Sequence, residues 1–152
     1  MKRLGRNLIG ITVLFLAVSA SAWCADAAGT IKTLTGLATV TREGVVSPIA
    51  AGQRVFPGDY IGTGRDSYVG IMLQDDTRLT IGPTSELLIR EFEFNPNSHA
   101  GGLVVSFLKG TLRVVTGLIG KQAPERVRFS TPTATIGIRG TEFVIDLDGD
   151  ES

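Results

Sequence analysis

Few residues of this 152-residue chain have the types and spacing that chemistry needs. Glu91 and Glu93 are the clearest pair, because positions two apart on a strand share a face, and two carboxylates can act as general acid and base. Neighbouring carboxylates are also common on solvated strands. No nucleophile with a plausible base can be named, and the sequence lacks the G-x-S-x-G, H-E-x-x-H and P-loop patterns. We therefore expect that the protein is not an enzyme.

The sequence has few residues that could bind a metal or a cofactor. The single cysteine, Cys24, excludes an internal disulfide and a multi-cysteine metal site, and the single histidine, His99, lies in a polar stretch typical of a loop. Asp146, Asp148 and Asp150 alternate as calcium ligands do, but the glycine and the later glutamate of an EF-hand loop are missing. We expect no cofactor and no metal.

The composition is that of a globular chain with balanced charge. Hydrophobic residues make up 43% of the sequence, and 15 basic residues balance 15 acidic ones. Such a balance gives no electrostatic reason to expect nucleic acid as a partner. The 19 glycines are scattered, as many tight turns would require. We expect one domain of short strands.

The N-terminus has the three-part pattern of an export signal. Basic residues at positions 2, 3 and 6 precede an apolar stretch from Leu8 to Val18, and small residues follow. Two A-x-A sequences predict cleavage after Ala22 or after Ala27. We therefore interpret residues 1–27 as a signal peptide and 28–152 as the mature domain, which is periplasmic or secreted.

Two alternatives to cleavage remain open for this segment. The uncharged span from Asn7 to Ala25 approaches the length that crosses a bilayer, so an uncleaved anchor would make the membrane a partner. Cys24 could also be the acylated cysteine of a lipoprotein, but the bulky Trp23 stands where a small residue normally precedes it.

From Gly29 onward the apolar residues form short runs without a helical period, and several runs alternate as strands with one buried face do. Leu79 and Ile81 share a face opposite Arg78 and Thr80, and Phe143 and Ile145 share a face opposite Val144. The pattern predicts an all-β domain of many short antiparallel strands, either a β-sandwich or barrel or an irregular β-solenoid. The predicted strands are Thr30–Leu34, Ala38–Arg42, Gln53–Phe56, Tyr60–Gly62, Ser67–Leu73, Arg78–Ile81, Glu86–Phe94, Leu103–Leu108, Thr111–Thr116, Arg126–Ser130, Ala134–Ile138 and Glu142–Leu147.

Turns and loops separate these strands. Proline followed by glycine predicts a tight turn at Pro57-Gly58-Asp59, and Gln74–Thr77 should join two antiparallel strands. Asn95–Gly102 and the weakly patterned Gly117–Glu125 are predicted as the longest loops.

Two blocks of sequence resemble the FecR domain, the extracytoplasmic part of regulators in ferric-citrate-type iron signalling. They run from Gly52 to Leu87 and from Phe107 to Ile145. The family's steps are a G-D-x-I-x-T-G turn first, a K-G turn at Lys109-Gly110, and T-P-x-A-x-x-G-x-R-G-T last. The motif residues, for which we expect mainly structural roles, are Gly58, Asp59, Thr63, Gly64, Lys109, Gly110, Thr131, Pro132, Gly137, Arg139, Gly140 and Thr141.

The resemblance implies a protein-binding or signalling module of the cell envelope, with an envelope protein as its partner. Only six or seven residues precede the apolar segment, so the cytoplasmic anti-sigma region of the classical regulators does not carry over. The alternative is an envelope ligand- or glycan-binding module, although the mature chain offers few aromatic residues for it.

Individual motif residues permit physical interpretations of their own. Pro132 restricts Thr131 to extended geometry, and Gly137 and Gly140 would permit close backbone approach or positive φ. Arg139, between the glycines, is either an exposed partner contact or, as we prefer, an internal clamp that bonds turn carbonyls or pairs with Asp59 or Asp66. Asp59, directly after a turn glycine, should accept backbone N–H bonds.

Overall fold

The computed structural model describes residues 25–147. The predicted signal peptide, its membrane-anchor alternative and Cys24 lie almost wholly outside this range, as do Asp148 and Asp150. Within it, no helix is long and apolar enough to cross a membrane. The elements are β1 (Gly29–Thr35), β2 (Ala38–Arg42), β3 (Val45–Pro48), β4 (Arg54–Val55), β5 (Tyr60–Thr63), β6 (Tyr68–Leu73), β7 (Arg78–Ile81), β8 (Glu86–Phe94), β9 (Gly101–Val115), α1 (Leu118–Gln122), a 3₁₀ turn (Pro124–Arg126), β10 (Val127–Ser130), β11 (Thr135–Gly137) and β12 (Glu142–Leu147).

A long two-stranded ribbon forms the centre of the fold. β9 runs antiparallel to β8 over its first half and to β7 over its second half. The predicted strands Leu103–Leu108 and Thr111–Thr116 are therefore one continuous strand, and the prediction of a turn at Lys109-Gly110 is wrong. Gly110 instead bends the strand, with φ of 93°, and a Cβ there would lie 2.0 Å from Ser85 Oγ. Only glycine fits this bend.

The remaining strands extend the ribbon into one curled sheet. The order is β3-β2-β5-β8-β9-β7-β6-β1-β4, and β10 and β12 pair with the remaining edge of β9. The all-β prediction is confirmed, and the sheet has the form of a half-barrel. One pair departs from the antiparallel expectation, because β10 runs parallel to β9.

Alternating side chains fill the interior of the curl. In β7 the predicted inward residues Leu79 and Ile81 are buried and Arg78 and Thr80 are exposed, which confirms the alternation. Phe107 and Phe129 are the largest fully buried side chains. Each fully buried aliphatic or aromatic side chain contributes roughly 1.5–3 kcal/mol of transfer free energy.

Two elements were missing from the sequence prediction. β3 has no alternation of buried and exposed residues, because Val45 and Val46 are 66% and 63% exposed. It is a strand because its backbone pairs with β2. The segment Gly117–Glu125, predicted as a loop, contains α1. The buried Asp75 stabilises the first turn of α1, since its carbonyl accepts from Leu118 N at 2.7 Å and its Oδ2 from Ile119 N at 3.3 Å.

Candidate functional site

The first motif turn is a corner built around one buried carboxylate, and we call it the Asp59 turn (Phe56–Asp59 with Arg42). Gly58 has φ of 92°, as the turn prediction required, and Asp59 N donates to the carbonyl of Phe56. Asp59 is fully buried, and its Oδ2 accepts from Phe56 N at 2.8 Å, as predicted.

Arg42 completes the Asp59 turn with a bidentate ion pair. Its Nε and one terminal nitrogen each donate to an Asp59 carboxylate oxygen at 2.7 Å, and the guanidinium carbon lies 4.5 Å from the centre of the Phe56 ring. The hydrogen bonds to Asp59 raise the pKa of Arg42. Both oxygens of the buried carboxylate are therefore bonded, and its role is to hold β2 against the turn.

The next motif residues join β5 to the bend between β7 and β8. Thr63 Oγ1 donates to the carbonyl of Gly82 at 2.6 Å and accepts from Ser85 N at 2.9 Å. A Cβ on Gly64 would lie 3.3 Å from the carbonyl of Leu37, so Gly64 permits a close backbone approach. Both residues have structural roles.

The neighbouring Tyr60 carries a perturbed side chain. Its hydroxyl donates to Glu86 at 2.5 Å across the β5–β8 pair. Burial raises the pKa of Tyr60 to about 12, and the hydrogen bond to Glu86 contributes to the rise. Tyr60 therefore stays protonated at physiological pH and acts as a donor.

The last motif block, which we call the motif hairpin (Thr131–Thr141), comprises the turn between β10 and β11, β11 itself and the connection to β12. It is exposed apart from Thr131, Ile136 and the buried Ile138. Its turn is held locally, because Thr131 exchanges backbone and side-chain hydrogen bonds with Ala134, while Pro132 is exposed. The carbonyl of Thr141 accepts from Thr116 N at 2.8 Å, which ties the end of the block to β9.

The two glycines of the motif hairpin differ from each other. Gly140 has φ of 109°, as the sequence suggested. The expectation for Gly137 is wrong, because its φ is not positive and a Cβ there would meet no atom within 4 Å. No packing in the described residues requires glycine at this position.

The preferred interpretation of Arg139 as an internal clamp is also wrong. Arg139 is exposed, and within residues 25–147 it has no ion pair or side-chain hydrogen bond, since Arg42 occupies Asp59. Asp66, the other proposed partner, is exposed with φ of 52°. The open alternative, an exposed contact residue, is the one that agrees with its position.

A groove of about 800 Å³ lies between the motif hairpin and β12, and its lining combines apolar side chains with polar and charged ones, among them Arg139 and Asp146. Its lining includes Ile136, Phe143, Ile145 and Leu147, which point inward along β11 and β12 and stay partly accessible except for Ile145. Phe143 packs edge-on against Phe129 at 5.3 Å between ring centres. The sequence indicated the inward alternation of β12, but not that the sheet stays open beside it.

A second groove, of about 940 Å³, contains the candidate catalytic carboxylates. Glu91 and Glu93 are both exposed, and His99 stacks on Phe94 at 6.2 Å. Sequence reasoning missed Arg90, which occupies a bulge in β8 and donates to Ser106 Oγ, itself 2.8 Å from Ser130 Oγ. A bulge leaves no signal in simple alternation, so only the register could show it.

The described residues bring together no group of three histidine, cysteine, aspartate or glutamate side chains that could hold a metal. Of the alternating aspartates, Asp146 accepts from Thr111 Oγ1 at 3.1 Å, and the other two fall beyond residue 147.

Lys109, the remaining motif residue, is exposed beside Leu37 and Glu86 in a shallow depression.

Comparison with known proteins identifies the family. The family model described as FecR protein matches residues 59–152. A solved structure titled "Cell surface anchoring domain" is 32% identical, with 40% of this chain and 82% of that chain covered and a TM-score of 0.39. No curated protein matches the chain. Because the family model spans more than half of the sequence, the chain belongs to the FecR family.

Proposed function

We propose that this protein is an exported, non-catalytic module of the cell envelope that binds another protein and takes part in signalling. Membership of the FecR family supports an association with the envelope. The observation that carries the proposal is the exposure of the motif hairpin. Its most distinctive side chain, Arg139, projects from a short hairpin without an ion-pair partner among residues 25–147.

The contrast with the other motif residues supports this assignment. Asp59, Thr63 and Gly110 have buried partners that explain why the fold needs them. Gly137 and Arg139 have no such partners among the described residues. Conspicuous surface residues on a fixed hairpin are suited to contacts with another molecule, and arginine is enriched among residues that dominate interface energies.

The chemistry of the carboxylates supports a non-catalytic role. Glu91 and Glu93 are accessible to water, whereas catalytic carboxylates are usually tuned by burial or by a close charged partner. The second groove favours the alternative function of ligand or glycan binding, because it combines Phe94 and His99 with charged side chains. Its aromatic surface is small, so we rank it below protein binding.

Crosslinking in intact envelopes followed by pull-down of the tagged chain tests the proposal. We expect an envelope protein to be recovered, and Arg139→Ala to lower the yield more than the control Arg65→Ala, which removes an exposed arginine outside the motif hairpin. Recovery of glycan without protein would favour the alternative, and turnover of a small substrate would contradict both.

Export has a separate test in the N-terminus of the mature chain. We expect it to begin at Trp23 or at Ala28, in a periplasmic or secreted fraction. Either cut leaves the first strand complete, because the pairing begins with Ala28 N, which donates to the carbonyl of Val55 at 2.8 Å. An intact Met1 in the cytosolic fraction would contradict export.

A further inference from the structure

β12 is a sheet edge with one free side. It pairs with β9 over all of its residues, Glu142 to Leu147, and with no other strand of residues 25–147. β11 lies on the other side of the groove between the motif hairpin and β12, and among the described residues it pairs only with β10. A free edge presents backbone N–H and C=O groups that can pair with another extended chain.

The inward side of the β12 edge offers apolar contacts to such a chain. Phe143 and Leu147 are only partly buried, and with Ile136 they line the groove of about 800 Å³. A strand added beside β12 would direct alternate side chains into this groove. Those side chains must be apolar to be buried there.

The outward side of the β12 edge offers mainly negative charge. Glu142 and Asp146 flank Val144, which is 59% exposed. Arg113 on β9, opposite Val144, pairs with Glu142 and offsets one of the two charges. Asp146 accepts only a neutral hydroxyl from Thr111 among the described residues and keeps its charge uncompensated.

This charge pattern decides between a second copy and a different partner. In an antiparallel pair of two β12 edges centred on Val144, Glu142 of each copy would face Asp146 of the other. Like charges directly opposite each other are destabilising in a sheet. A strand with basic residues at the outward positions would instead gain mainly from Asp146, because Arg113 already offsets the charge of Glu142.

We propose that the β12 edge binds an extended segment of a partner protein, in which basic and apolar residues alternate, by β-strand addition. The inference rests on the proposed function and adds to it the binding surface and the chemistry of the partner. The partner's apolar side chains enter the groove, and its basic side chains lie beside Asp146 and Glu142. Backbone hydrogen bonds to β12 supply affinity for any strand, and the alternation supplies specificity.

A capped peptide of alternating lysine and valine is the probe, titrated into the isotope-labelled protein. We expect chemical-shift changes and slower hydrogen exchange at β12 amides. The matched glutamate–valine peptide should bind at least about fivefold more weakly, because two surface charge contacts change sign. A lysine–valine peptide N-methylated on one edge should lose binding, since it cannot form the backbone ladder.

The protein variant Asp146→Lys should weaken binding of the lysine–valine peptide about fivefold. Glu43→Lys, an exposed charge reversal in the turn between β2 and β3, is the matched control that leaves binding unchanged. Asp146→Asn is a milder variant should the lysine disturb folding, as judged by circular dichroism. Equal affinities for the lysine–valine and glutamate–valine peptides would overturn the inference, as would chemical-shift changes confined to strands other than β12. If envelope pull-down succeeds equally with Asp146→Lys, the proposed function stands and this surface is wrong.

Discussion

The Asp59 turn and the motif hairpin are both built from motif residues, yet they differ in what surrounds them. In the Asp59 turn a fully buried carboxylate receives two hydrogen bonds from Arg42 and one from a backbone amide. In the motif hairpin Arg139 is exposed, and Gly137 borders empty space. The difference shows that a recurring motif residue can serve the fold in one region and the surface in another.

Burial is the physical quantity that separates the two regions. A buried charge must be paired, because desolvation without compensation costs several kcal/mol, whereas an exposed charge is hydrated whether or not it has a partner. Removal of a side chain should therefore lower stability at Asp59 and leave it nearly unchanged at the exposed Arg139 of the motif hairpin. The following predictions test this contrast.

The largest expected effect is that of Asp59→Ala. It leaves Phe56 N without its acceptor and the half-exposed Arg42 without its partner, so we expect a loss of about 2–4 kcal/mol in the free energy of unfolding. Urea unfolding followed by circular dichroism measures it. The exposed Asp146→Ala, the matched control, should stay within about 0.5 kcal/mol of the parent. A loss below about 1 kcal/mol for Asp59→Ala would mean that burial does not distinguish the regions.

The second prediction compares two motif glycines. Gly110→Ala should cost about 1–3 kcal/mol from its left-handed backbone alone, and contact with Ser85 adds to this. Gly137→Ala should be neutral or stabilise by up to about 1 kcal/mol, because alanine fits and restricts the unfolded chain. Thermal unfolding of both variants gives the comparison. Equal losses would show that Gly137 has a packing role.

Much of the fold was predictable because strand alternation and turn chemistry are local. The inward residues of β7 and the positive φ of Gly58 were predictable from the residues next to them in the sequence. The continuity of β9 through Gly110 did not follow, because a lysine–glycine pair is equally typical of a turn. The bend is set by Ser85, which comes from a distant part of the chain.

The candidate site was less predictable than the fold for the same reason. Asp59 was assigned correctly to backbone bonding, yet its ion-pair partner is Arg42 and not Arg139. Which of several arginines reaches a given carboxylate depends on the pairing of β2 with β5, a non-local contact. Helix α1 likewise depends on the buried Asp75, which lies far from it in sequence.

The third prediction concerns Tyr60, which directly follows the Asp59 turn. Its pKa is raised to about 12, so between about pH 10 and 12 the folded state holds a proton that the unfolded state has lost. Stability should therefore fall as pH rises through this window, and Tyr60→Phe should lessen the fall while costing about 1 kcal/mol at neutral pH. Tyr68→Phe leaves Tyr60 as the only tyrosine, so its absorbance titration reads the pKa directly. Ionisation of Tyr60 near pH 10 would contradict the burial argument.

The smallest expected effect on stability is that of Arg139→Ala. Because the side chain is exposed and has no hydrogen bond or ion pair within residues 25–147, we expect a change within about 0.5 kcal/mol in urea unfolding. Arg139→Lys keeps the charge but not the planar donor array, so a partner that depends on bidentate contacts should be captured less well by both variants. If Arg139→Ala instead lowered the free energy of unfolding by more than about 1 kcal/mol, Arg139 would act as an internal clamp after all. The motif hairpin and the Asp59 turn would then both depend on a structural arginine.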